Sequence, residues 1–197
     1  MYLNATNDMA IISLTEIFNI LLMIAALGFI FKDSFKSHPR HDEEYDPLTA
    51  NTYWDGLIEA CILTAPAIVL HEMAHKAAGM ALGLTSIFEA SYPGLLLGIL
   101  LKVFNSPIMF LIPGYVIIQG GSSMDIMITS VAGPLMNGLL WVIASIMLSR
   151  SSTMSVKAYH RWVLTKNING FLFVLNMIPI PGFDGYNFFT NLWTTFF

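Results

Sequence analysis

A histidine, a glutamate and a second histidine stand at His71, Glu72 and His75, in the run HEMAH. On an α-helix, positions i and i+4 share one face, so the two imidazoles can grip one metal ion together. Glu72 sits one step round, where its carboxylate can take the proton of an attacking water. That is the chemistry of a zinc-dependent hydrolase. The bland alternative is three polar residues satisfying one another in a helix bundle. An adjacent His-Glu with a further His at ligand spacing is a poor way merely to fill a core.

A catalytic zinc takes three protein ligands and keeps its fourth position open. Beyond His75 the candidates are Glu89, Asp125, His160 and Asp184. The soluble continuation HExxHxxGxxH is absent, because Ala78 and Ala81 stand where its glycine and third histidine belong. His160 lies in a basic loop, Glu89 falls close after the helix, and a capping role suffices for Asp125. Asp184 differs. It sits in PIPGFDG, whose prolines and glycines must break a helix and could aim a carboxylate inward. A turn-forming Asp-Gly at a membrane surface accounts for it equally well.

The elements that must position these residues look membranous. Of the 197 residues, 55 % are hydrophobic and only 11 % charged, against about a quarter charged in ordinary soluble domains. The net charge of −4 argues against a nucleic-acid partner, which selects clustered Lys and Arg. A single cysteine, Cys61, excludes an internal disulfide and a cysteine-based metal site. The expected fold is an all-α polytopic membrane protein: a bundle of about four transmembrane helices, with a short strand or re-entrant region between the second and third. One membrane-embedded domain, 1–197, is expected, with a catalytic core at about 56–186.

The first span is Ala10–Phe31, broken only by Glu16 and Asn19; without a basic flank and at that length, it reads as a span and not a cleaved signal. A charged loop, 32–55, follows and carries His38 and His41, read as surface residues. The second span, Gly56–Leu82, holds Pro66 and HEMAH. His71 falls about 20 Å along it, inside the hydrocarbon zone. Gly83–Ser123 is irregular: an apolar stretch at Gly94–Phe104, then PIMFLIPGYVIIQGG, read as short strands or a re-entrant hairpin. The third span, Met124–Leu148, contains AGPLMN, and the fourth, near Tyr159–Ile178, runs into NMIPIPGFDG.

HEMAH (71–75), AGPLMN (132–137) and NMIPIPGFDG (176–185), in this order and each on its own hydrophobic segment, resemble the site-2 protease family of intramembrane metalloproteases. The match spans roughly 56–186. It implies Zn2+ held by His71, His75 and Asp184, with Glu72 as base. It also implies that Asn137 and Asn176 line the active-site cleft, and that the segment after the HExxH helix pairs with substrate. The tail from Tyr186 is apolar but expected to be too short to cross a bilayer as a helix, and it departs from the family in lacking the charged residues that often follow its DG.

The activity so implied is hydrolysis of a peptide bond in or near a transmembrane segment of another protein. The expected partners are that substrate and the lipid bilayer, and the protein is expected to be integral to the membrane with several passes. Asn176 stands two helical turns after Asn169, so both amides can face one side; with Asn137 they could donate to an oxyanion or hold substrate backbone. Interhelical hydrogen bonding is the plainer reading for each, and the stronger one for Asn169. The competing function is a non-proteolytic membrane protein, a metal transporter or a helix-binding pseudoprotease. A transporter should show polar residues along a whole path, whereas here they gather at one depth around one HExxH.

Overall fold

The computed structural model describes residues 11–34, 53–106, 112–150 and 154–197. His38, His41 and Pro107–Leu111 lie outside the described residues, as does Ala10.

Helix α1, Leu14–Phe31, starts at a capping box: the Ser13 hydroxyl accepts from the Glu16 amide, and the Glu16 carboxylate accepts from the Ser13 amide. Helix α2, Tyr53–Ala81, carries HEMAH near its C-terminal end and Pro66 a little over one turn earlier. A turn through Gly83, at φ +76°, a backbone state that glycine adopts without strain, leads into strand β1, Thr85–Ala90. Helix α3, Tyr92–Val103, and strand β2, Gly114–Gln119, come next. Helix α4, Ser123–Ser149, begins at a second capping box, Ser122 with Asp125. Helices α5, Val156–Asn176, and α6, Asp184–Phe196, complete the fold. Asp125 is thereby accounted for as a cap, and Glu89 lies within β1 with Tyr115 Oη donating to it.

The irregular region is therefore a two-stranded antiparallel sheet interrupted by a helix. The strand expected within 107–119 does form at Gly114–Gln119, but it pairs with Thr85–Ala90 from before α3. Thr85–Ala90 carries no strand signal in the sequence, because six residues next to a long helix show little periodicity. Phe88 stands opposite Val116, and Ser86 opposite Ile118. The Phe88 N–H and the Ser86 carbonyl both bond side chains away from β2. In an antiparallel pair their opposite numbers also face outward. Among the described residues, the outward backbone groups of Val116 and Ile118 have no protein partner.

Among the described residues, three helices are long and apolar enough to cross a membrane: α1, α2 and α4. Helix α5, expected as a fourth span, has the length, 21 residues, but Lys157, Arg161 and Lys166 interrupt it. The distribution of side chains is inverted relative to a protein in water. Leu14, Phe18, Leu21, Leu135, Leu139 and Val142 are exposed, while Glu16, His71, Glu72, Lys76, Asn137 and Asn169 are buried. An apolar outer belt of this kind suits lipid contact. A small core of Met23, Leu27, Phe88 and Leu95 joins α1 to β1 and α3. Hydrogen bonding between Tyr92 Oη and Asn19 Oδ1, at 2.7 Å, and an ion pair of Lys102 with Asp33, at 2.5 Å, fasten α3 to α1.

Candidate metal centre

Helices α2, α4 and α6 build the centre, with α4 packed against both others. One turn of α2 presents His71 and His75 side by side, their rings edge to face with centroids 4.7 Å apart. Their Nε2 atoms are 3.1 Å apart. Asp184 Oδ2 closes the triangle at 3.1 Å from His71 Nε2 and 3.3 Å from His75 Nε2.

Local sequence explains how Asp184 arrives. Helix α5 ends at Asn176, and the next residues cannot continue it because Pro179 and Pro181 lack amide donors. Gly182 takes φ +100°, a backbone state disfavoured for residues bearing a side chain. Gly185 passes so close to the end of α5 that a Cβ there would stand 2.5 Å from the Met177 carbonyl. The chain thus folds back at once and starts α6 on Asp184, where a carboxylate suits the helix N-terminus.

The tautomers of both imidazoles follow from their second nitrogens. His75 Nδ1 is 2.7 Å from the Thr129 carbonyl oxygen, which can only accept, so Nδ1 carries the proton. His71 Nδ1 is 2.6 Å from Asn137 Oδ1. The Asn137 amide nitrogen donates to the Ala67 carbonyl and to Asn169 Oδ1, each at 2.9 Å, which fixes its oxygen toward His71. Asn169 in turn donates to the Thr165 carbonyl. Both Nε2 atoms therefore present lone pairs to the centre and to the Asp184 carboxylate.

Three lone-pair donors facing one another repel unless a cation lies between them. Tetrahedral zinc, with bonds of about 2.0–2.2 Å, sets its ligands roughly 3.3 Å apart. The triangle here has that size, and a two-nitrogen, one-oxygen set suits zinc, so the residues present fit the ion. Gly133 keeps the space clear: a Cβ there would stand 2.3 Å from His75 Nε2 and 2.7 Å from His71 Nε2. The His71 and His75 side chains are 9 % exposed and that of Asp184 is 24 % exposed, so the opening lies on the Asp184 side.

Glu72 is buried, next to His71 on the same turn of α2. Among the described residues its carboxylate has no hydrogen-bond partner. Asn137 was expected to face substrate. Instead it is wholly buried, with both amide hydrogens already used, and has no donor left for an oxyanion. Asn176 stands half-buried at the end of α5. His160 is exposed on α5, away from the triangle. Sequence reasoning missed Thr129, whose contribution is a backbone oxygen that no residue type announces.

No family model matches the chain, and no solved structure matches it. A curated protein of Methanocaldococcus jannaschii named "Putative zinc metalloprotease" is 31 % identical over 179 residues, covering 86 % of this chain and 81 % of that protein. At that identity across most of both sequences, the chain belongs to the same family as this Methanocaldococcus protein.

Proposed function

We propose that the protein is an intramembrane zinc metalloprotease of the site-2 protease type. Its reaction is hydrolysis of a peptide bond in or near a transmembrane segment of another membrane protein. The observation that carries this reading is the triangle of His71 Nε2, His75 Nε2 and Asp184 Oδ2, with His71, Glu72 and His75 on a helix apolar and long enough to cross a bilayer. The relative's name points to the same chemistry.

His71, His75 and Asp184 would hold the ion, which when bound supplies Lewis acidity to the attacking water and the scissile carbonyl. Glu72 takes the proton of that water and delivers it to the leaving amine; a carboxylate without a competing hydrogen bond is free to do both. Asn137 and the Thr129 carbonyl hold the imidazoles in the ligating tautomer and orientation. Asn176, at the broken end of α5, is the amide assigned to the substrate backbone.

A peptide bond within a helix is shielded by its own hydrogen bonds, so the substrate must unwind before attack. The outward backbone groups of Val116 and Ile118 offer an extended segment the partners it loses. In this reading α5 is a fourth crossing. Its 21 residues span about 31 Å, and Arg161 is neutralised by a two-point ion pair with Glu59 of α2 at 2.6 and 2.7 Å. The protein is then a single multi-pass protease domain in the cell membrane.

The test is purification of the full chain in detergent, zinc quantitation, and cleavage of a generic membrane-protein substrate. The expected result is about one zinc per chain, with cleavage abolished by a chelator and restored by zinc. Stoichiometric zinc without cleavage of any transmembrane substrate would favour a binding protein, and no zinc at all would overturn the metalloenzyme.

A further inference from the structure

Glu16 and Lys76 form an ion pair buried between α1 and α2, and the metal chemistry uses neither. Lys76 directly follows the ligand His75. Both side chains also bond the backbone of β1. Glu16 Oε1 accepts from the Phe88 N–H at 2.8 Å as well as from Lys76, and Lys76 donates to the Ser86 carbonyl at 3.0 Å. The second Glu16 oxygen accepts from the Ser13 amide and caps α1. One carboxylate and one ammonium thus join the start of α1, the ligand turn of α2 and the outer edge of β1.

Further contacts fix the same strand. Gly79, one turn beyond His75, lies so close to β1 that a Cβ there would stand 2.1 Å from Ser86 Oγ. Phe88 is wholly buried in the core shared with α1. With Glu16 and Lys76 on its outward groups, β1 has no open edge at Ser86 and Phe88, and the sheet presents only the β2 side there.

We infer that Glu16 and Lys76 are positioning residues that lock the β1–β2 sheet to the ligand turn of α2, closing one sheet edge and setting the distance of the other from the metal centre. This rests on the proposed protease reading for its kinetic consequence, though not for its structural one. Paired charges inside a membrane helix bundle are costly and call for such a role. The chemistry is directional: the strand offers an N–H to residue 16 and a carbonyl to residue 76. A carboxylate suits the first and an ammonium the second, whereas the reverse arrangement meets donor with donor and acceptor with acceptor.

That direction supplies the experiment. Two variants of the full chain are compared with the wild type in detergent. K76R keeps a cation that can donate both to Glu16 and to the Ser86 carbonyl, and leaves the Glu16 carboxylate on the Phe88 and Ser13 amides. E16K/K76E keeps an ion pair with its polarity reversed. Hydrogen exchange of segments 85–90 and 114–119, zinc content, and KM and kcat on a transmembrane substrate are measured.

Protection and KM close to wild type are expected for K76R. For E16K/K76E, exchange of β1 roughly tenfold faster and a severalfold higher KM are expected. Zinc content should stay near wild type in K76R. A reversed pair that keeps wild-type protection would show a plain helix–helix ion pair and overturn the proposal; so would equal behaviour of the two variants. Exchange is read without activity. A wild type that binds no zinc or cuts nothing therefore removes the protease reading and leaves the lock to stand or fall on its own measurement.

Discussion

Asn137 Oδ1 lies 2.6 Å from His71 Nδ1, which commits the imidazole to offering Nε2 to the metal centre. The Asn137 amide is itself held from two sides, by the Ala67 carbonyl on the ligand helix and by Asn169 on α5. Removing partners that orient a ligating histidine typically lowers metal affinity or activity by about 10–100-fold. Asn137→Ala is expected to weaken zinc binding in that range, read by competition with a chromogenic chelator. Unaltered affinity would show that His71 needs no such partner.

Glu72 carries a separate prediction, because the proposed mechanism uses it as a base and not as a ligand. Glu72→Gln preserves shape and should leave zinc content unchanged while cleavage falls by about 10²–10⁴-fold. Metal analysis and a cleavage time course on one preparation are enough. Full activity would remove Glu72 from the mechanism.

Asp184→Asn replaces the proposed anionic ligand with a neutral amide. Loss of zinc should exceed that of Asn137→Ala, because the amide oxygen is a weaker donor to a dication and the two imidazoles remain alone. Equal metal content in the variant and the wild type would take Asp184 out of the ligand set.

Gly133 should tolerate no side chain. Alanine favours helix by about 1 kcal/mol relative to glycine, so Gly133→Ala ought not to harm α4 itself. Its methyl group would meet both Nε2 atoms. The expected outcome is retained helical circular dichroism with zinc lost. A zinc-replete Gly133→Ala enzyme would mean that the α2–α4 spacing is wider than described.

Metal removal should destabilise the fold, since it leaves two imidazole lone pairs and a carboxylate opposed within 3.1–3.3 Å. A ligand present at 100 times its dissociation constant stabilises by about 2.7 kcal/mol. Thermal unfolding in detergent should therefore shift down on chelation and recover with added zinc. A melting temperature indifferent to zinc would contradict this.

The sequence alone determined what is local. The i, i+4 spacing of His71 and His75 is a property of one helical turn, so the pair and the carboxylate of Glu72 next to it were legible in HEMAH. So were three long apolar helices, from hydropathy, and the break around Gly182, from its prolines and glycines. Tertiary structure decided the rest. Whether Asp184 meets the imidazoles or merely turns at a surface depends on α6 folding back beside α4, which the tight passage of Gly185 permits. Asn137 looked suited to substrate because an amide can serve either role; the packing of α4 against α2 turned it toward His71 and used both its hydrogens. β1 and its lock by Glu16 and Lys76 were hidden for the same reason. Glu16 meets its partners Lys76 and Phe88 only through packing across 60 and 72 residues of chain, and no periodicity encodes which buried polar groups will answer one another.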